Sequence, residues 1–237
     1  MDLLVPKGRP QVEQTRPSKR KTVLSSCTLR WMVETQGTNV PQGGARERIL
    51  DGSYELFSHR GIRDVGIDEV IERSGVAKAT LYRHFPSKDD LVLAFLERRE
   101  QRWTREWVET EAKRRGSTPE EQLLAIFDAF DDWFRRDDFE ACSFINVMLE
   151  MGIQHPAGSA SVHHLENIRS IVRRLAEEAG LRDPGPFAHS WHILMKGSIV
   201  AAAEGDLEAA QRAKAMARLV LDHHRQPVGA DIAETRR

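Results

Sequence analysis

Cysteine is scarce in this sequence, with only Cys27 and Cys142 in 237 residues. Two cannot build a disulfide scaffold, and their number fits a reducing compartment. No apolar run approaches the roughly 20 residues of a membrane span. The opening MDLLVPKGRPQVEQTRPSKRK lacks the apolar centre of a secretory signal. The reading is therefore a cytoplasmic protein with no membrane partner. Charge imbalance is missing too: 35 Lys and Arg stand against 36 Asp and Glu, a net of −1. Any affinity for nucleic acid must be local. No convincing strand, repeat or low-complexity segment occurs.

Catalytic patterns are also absent. There is no Ser/His/Asp order, Cys/His pair, Gly-rich phosphate loop or paired carboxylates, and Glu150 near His155 is the best pair available. The expectation is no enzyme, no catalytic residue and no cofactor. His163-His164 and His223-His224, with His155, His189 and His192, raise the question of a metal. Adjacent histidines on a helix point about 100° apart, and no Cys or carboxylate joins them at ligand spacing. The expectation is no metal site.

What is present is helical periodicity, from Gly44 to about residue 224. Residues 1–43 hold Pro6, Pro10, Pro17 and Pro41, scattered cations and no helical period, and read as a disordered tail. A start at Met32 is an alternative, and the basic cluster Lys19, Arg20 and Lys21 could touch phosphates. The expected division is a helix-turn-helix domain over 44–90 (motif about 66–85), a larger helical domain over 91–225 and a flexible end over 226–237. The fold class is all-α, with about nine helices.

The first helix carries Ala45, Ile49, Ser53, Leu56 and Phe57 on one face and stops at Gly61. Gly52 inside it costs about 1 kcal/mol against Ala. Ile67, Val70 and Ile71 mark a second helix, closed by Gly75 in a left-handed position. A third covers Lys78 to Phe85. Pro86 breaks it and Ser87 caps a long fourth helix running to about Arg115, with Asp89 and Asp90 in its first turn. Thr118-Pro119 opens the next. The run Phe139 to Met151 is almost wholly apolar and should be buried. One amphipathic helix follows Pro156 and Gly158 and ends at Gly180. The last two run about 186–204 and 206–224.

The stretch VAKATLYRHFPSK, Val76 to Lys88, is the most informative. Two short helices about a tight glycine turn have helix-turn-helix spacing, and the second helix of that motif enters the major groove. Lys78 and Ala79 sit at its start, Thr80 can donate to phosphate or touch a thymine methyl, and Tyr82, His84 and Lys88 suit phosphate. Arg83 lies on the same short helix, and the Ser87 N–H lies at a helix N-terminus. Leu81 and Phe85, four apart, should face inward.

The block ARERILDGSYELFSHRGIRDVGIDEVIERSGVAKATLYRHFPSKDDLVLAFLERRE, residues 45–100, resembles the DNA-binding domain of the TetR/AcrR family of bacterial transcriptional regulators. It covers about a quarter of the chain, and TLYRHFPSKDDL (80–91) is its most diagnostic part. The resemblance implies an all-helical homodimer whose three-helix domain binds a palindromic operator in double-stranded DNA. A larger domain would bind a small effector and dimerise through its last two helices. It places Thr80, Tyr82, His84 and Lys88 at positions that commonly contact phosphate, and Lys78 and Ala79 where base contacts are common. Val65-Gly66 stands where the family usually has Thr-Thr or Thr-Ser, which removes a hydroxyl cap worth about 1 kcal/mol and leaves Gly66 as the candidate contact. Ala77 replaces a common Ser.

The second half is read directly. Trp133, Phe134, Phe139, Cys142, Phe144, Met148, Trp191, His192 and Met195 form an aromatic, sulfur-rich set able to line a pocket for an apolar or aromatic molecule. The alternative for each is ordinary core. Cys142, among apolar neighbours, reads as an inert buried thiol rather than a redox sensor. Phe187, Trp191, Leu194, Ser198 and Ala201/Ala202 form one stripe; Ala209, Ala213, Met216, Ala217 and Val220 form another. They suggest a four-helix interface across a two-fold axis, with intrachain packing as the alternative. The function expected is a ligand-responsive, sequence-specific repressor. An enzyme and a ligand-free architectural DNA binder are the competing readings.

Overall fold

A computed structural model describes residues 43–225. The tail, Met32, Lys19 to Lys21, Cys27 and the C-terminal segment all lie outside the described residues. Within them the chain forms nine helices and no strand.

Helix α1 spans Ala45–Arg60 and buries Ile49, Leu50 and Phe57. Helix α2 spans Ile67–Ser74 and ends on Gly75 at φ 61°, ψ 37°, the left-handed position expected, with the Gly75 N–H donating back to the Ile71 and Glu72 carbonyls. Gly52 has a packing reason that offsets its helix cost. A Cβ there would lie 3.3 Å from Arg73 Cγ and 3.4 Å from the Ser74 nitrogen, so its absence lets α1 and α2 close on each other. Helix α3 spans Lys78–His84. Leu81 and Phe85 turn inward, as their spacing requires, and Val65 is fully buried beside them in the core.

Helix α4 begins at Lys88–Arg99, passes through a π-helical segment at Glu100–Val108 and finishes as Glu109–Arg115. At the end of that segment the Glu109 N–H donates to the Thr104 carbonyl five residues back, which marks the wider turn. Ser87 caps α4: its Oγ accepts the Asp90 N–H at 3.1 Å, and Asp90 returns the bond to the Ser87 N–H at 3.0 Å. This reciprocal box satisfies two donors that the helix itself cannot.

Helix α5 (Pro119–Phe134) starts with the same device, Thr118 and Glu121. Helices α6 (Ser143–Met151), α7 (Pro156–Glu178), α8 (Pro184–Ala203) and α9 (Ala209–His224) complete the fold. Neighbours pack as α6 on α7, α7 on α8, α8 on α9 and α9 on α5. Helix α6 starts later than the apolar run suggests. Ala141 takes φ 59°, the Glu140 carboxylate is held by Arg99, and Phe139 packs edge-on against Trp133 and Phe134. Those three anchors keep residues 139–142 out of the helix.

The core between α4, α5 and α8 is aromatic. Trp103, Trp107, Phe130 and Trp133 touch one another, and Phe127 continues the chain of rings to Trp191 and Phe187. Such contacts add about 0.5–1.5 kcal/mol per pair beyond burial.

Candidate nucleic-acid interface and ligand cleft

On α3 the inward Leu81 and Phe85 leave Lys78, Ala79, Tyr82 and Arg83 on the solvent face. Thr80, His84 and Lys88 are half-buried at its edges, and Ser87 is exposed. Tyr82 is 41 % exposed, high for an aromatic side chain. Arg83 has no ion-pair partner among the described residues. Lys78 lies 3.3 Å from Asp68, with side chains 65 % and 86 % exposed. A pair that open to water contributes little and is readily exchanged for a phosphate.

Two expected contacts are partly committed elsewhere. The exposed Gly66 caps α2, and its N–H donates to Glu69 Oε1 at 3.2 Å. Glu69 thereby supplies half of the cap that Val65-Gly66 lacks. The Ser87 N–H is held by Asp90, as described above. A phosphate at either amide has to displace a carboxylate.

The expected pocket residues separate into two groups. Trp133, Phe134, Cys142, Phe144, Trp191 and Met195 are buried in the core. They are consumed in packing α4, α5, α6 and α8 against one another. Cys142 is buried and burial pushes its thiol above the ordinary value, so it stays protonated. Met148 and His192 do line a cleft, of about 680 Å3, between α6, α7 and α8. Its walls are mainly apolar, and Arg169 and Lys196 also border it. His192 is 3 % exposed and its Nδ1 has no hydrogen-bond partner. Burial, reinforced by the Lys196 and Arg169 charges, lowers its pKa to about 3, which keeps the ring neutral.

Nothing in the sequence pointed to the contacts that join α6 to the α1–α3 region. Glu150, at the end of α6, accepts the Ile62 N–H at 2.9 Å and the Arg63 N–H with its other oxygen. His155 does not pair with Glu150. Its Nδ1 accepts the Ala157 N–H at 3.2 Å, and its Nε2 lies 3.4 Å from Asp89 at the start of α4. Arg99 of α4 bonds both Tyr54 of α1 and Glu140.

The expected interface residues need correction. Phe187, Ser198, Ala202, Ala209 and Ala213 are buried within the chain, where they pack α8 and α9 against each other and their neighbours. They present no surface to a second molecule. Leu194 and Val220 are half-buried, and Met216 is exposed. The apolar side chains that do face solvent on these helices are Ile193, Val200, Met216 and Leu219, with Leu207 between the helices. Gly197 lies between Ile193 and Val200 with open space where a Cβ would be.

Among the described residues, no group of three or more His, Cys, Asp or Glu is placed to hold a metal ion, and no helix is long and apolar enough to cross a membrane.

Residues 49–95 match the family of bacterial regulatory proteins, tetR family. The chain is 33% identical over 102 residues to the HTH-type transcriptional activator FasR of Mycolicibacterium smegmatis, covering 43% of this chain and 46% of that one. It is 32% identical over 124 residues to the HTH-type transcriptional repressor KstR of Rhodococcus jostii, covering 52% and 55%. The matched stretch thus spans about half the length of these curated relatives. A TetR-family transcriptional regulator from Streptomyces coelicolor superposes with a TM-score of 0.69 at 29% identity, over 77% of this chain and 96% of that one. Escherichia coli NemR shares the fold at 19% identity, with a TM-score of 0.65 over 74% and 97%. These named regulators are not enzymes. With the helix-turn-helix geometry and the helical domain behind it, residues 49–95 match the tetR family of bacterial regulatory proteins and the chain shares the fold of TetR-family regulators.

Proposed function

We propose that the protein is a cytoplasmic, sequence-specific DNA-binding repressor, acting as a homodimer on a palindromic operator and released by a small apolar or aromatic molecule. The observation that carries this reading is α3. Its inner face is locked by Leu81 and Phe85, while Lys78, Ala79, Tyr82 and Arg83 stand outward. A helix so built can lie in the major groove, with Lys78 and Ala79 toward base edges and Thr80, Tyr82, His84 and Lys88 toward phosphates.

Two-fold operators call for two copies, with recognition helices about 34–36 Å apart. The exposed residues Ile193, Gly197, Val200, Met216 and Leu219 supply the face on which a second copy seats, and Gly197 allows its helix to approach closely. The small molecule enters the cleft between α6, α7 and α8. Met148 and Leu149 on α6 border that cleft, and Glu150 next to them holds the loop after α1. A ligand that shifts α6 therefore moves the α1–α3 unit and spoils the spacing of the two recognition helices.

The test is titration of the purified protein on DNA upstream of its own gene, at several salt concentrations, against scrambled DNA. Tight, specific binding by a dimer with a steep salt slope supports the reading. Weak, sequence-blind binding there and on DNA selected from a random pool rejects it.

A further inference from the structure

The cleft between α6, α7 and α8 has a chemistry that an uncharged apolar ligand would leave unused. Lys196 is half-buried, borders the cleft, and has no ion-pair or hydrogen-bond partner among the described residues. It sits one helical turn after His192 on α8, so both project from one face. Arg169 of α7 borders the same space, and its one ion pair is with Glu166, three residues earlier, at 3.1 Å. His192 is almost wholly buried there, with its Nδ1 unpartnered. A buried polar group without a partner is costly and uncommon, and an ammonium on an apolar wall is costly for the same reason. Two groups without partners, Lys196 and the His192 ring, border one cleft with Arg169 beside them, and point to a missing partner.

We propose that this cleft binds an amphipathic carboxylate, its apolar body lying against Ile145, Met148, Val162 and Leu165 and its carboxylate held by Lys196, Arg169 and the His192 ring. This names the class of the releasing molecule and rests on the ligand-responsive reading above. The charge count favours a monoanion. Lys196 and Arg169 bring two positive charges and Glu166 cancels about one. The His192 ring is neutral and contributes a hydrogen bond rather than a charge. Glu204, just past the end of α8, also borders the cleft, eight residues beyond Lys196 and so about 12 Å along the helix direction. It fixes polarity: the carboxylate goes to the His192 and Lys196 end, and Glu204 repels one from the other. The volume, about 680 Å3, lies within the usual range for small-molecule sites. Ile193 and Val200 at the outer lip belong to the face proposed for the second copy, so the dimer narrows the mouth.

The experiment is calorimetry on the full-length protein with decanoate, 1-decanol and 2-naphthoate, with Lys196→Gln and Lys196→Met checked for unchanged helicity and melting. The expected result is one decanoate or one 2-naphthoate per chain, bound about tenfold or more tighter than decanol, as a charge-assisted bond requires. Which acid binds better tells chain from ring. In both variants the preference for carboxylate over alcohol should collapse while decanol affinity holds. Equal affinity for acid and alcohol, or a preference that survives both variants, overturns the proposal. So does a dimer that binds none of the three, which would mean that the second copy fills the cleft. Lys196-dependent binding that leaves operator affinity unchanged upholds this site and rejects release by ligand.

Discussion

Glu150 and Ile62 lie 88 residues apart in the chain and are joined by a 2.9 Å hydrogen bond from the Ile62 N–H to Glu150 Oε2. The other carboxylate oxygen takes the Arg63 N–H. One side chain on α6 thus satisfies two successive amides in the loop that leads into the helix-turn-helix. Bonds to a charged acceptor contribute about 1.5–3 kcal/mol each, so the loop is held more firmly than its exposure suggests. In Glu150→Ala, hydrogen exchange at the Ile62 and Arg63 amides should accelerate by about tenfold or more. Exchange in the core of α5 should not change. An unaltered loop would show that Glu150 does not brace it.

The recognition face gives a second prediction. Tyr82→Ala and Lys88→Ala should weaken binding to every DNA sequence by similar factors, with the dimer intact. Lys88→Ala should also flatten the slope of log K against log salt by about one unit. Lys78→Ala should act differently. Its pair with Asp68 is weak and exposed, so its loss costs little stability, and a base-contacting lysine alters the ranking of operators. Anisotropy titrations on operator and scrambled DNA separate the two behaviours. Normal operator affinity in both Tyr82→Ala and Lys88→Ala would falsify the assignment of this face.

Much of the α1–α4 region was legible because its signals are local. Gly75 must be left-handed where one helix stops and another starts three residues later. Leu81 and Phe85 share a face by spacing alone, and Ser87 announces its cap. The larger domain was legible in helix number but not in which face goes where. Helix α8 is apolar nearly all round, since it serves α7, α9 and a solvent-facing stripe at once. Hydrophobicity could not tell Phe187, Ser198 and Ala202, which pack inside the chain, from Ile193 and Val200, which do not. The aromatic set was read as a pocket because ring-rich segments look alike whether they enclose a cavity or fill one. Trp133 and Phe134 fill one. Glu150, Arg169 and Lys196 carried no signal of their own, because their roles come from elements far apart in sequence.

The exposed stripe of α8 and α9 yields a third prediction. Val200→Asp and Leu219→Arg place charges on a largely solvent-facing stripe, so each monomer should keep its helicity and melt within about 0.5 kcal/mol of the parent chain's intrinsic stability. Both should shift the mass measured by light scattering from dimer to monomer and lose operator binding with it. Ala213→Ser, inside the α8–α9 contact, should leave the mass unchanged. Dimers that persist in both charged variants would move the interface elsewhere.

Glu100 and His164 give the last prediction. They bond across α4 and α7 where both are nearly inaccessible, and Asn167 donates to the other Glu100 oxygen at 2.8 Å, with Arg105 at 3.3 Å. Burial alone would raise the Glu100 pKa. The bonds and charge from His164, followed by the bonds from Asn167 and Arg105, outweigh it and hold the carboxyl below its ordinary 4.5. A lowered folded-state value means that the carboxylate's contribution to stability is complete above pH 4.5 and drains away as pH falls through the folded value. Glu100→Gln cannot titrate, so the stability gap between the parent chain and this variant should narrow on acidification below that point. At neutral pH, His164→Ala leaves a buried carboxylate with its main partner gone, a loss of about 3 kcal/mol or more. Glu100→Gln should cost less, because an amide still bonds Asn167. Urea unfolding of the three proteins from pH 7 to pH 3 measures both effects. A gap that stays constant with pH would mean that Glu100 is held no better folded than unfolded.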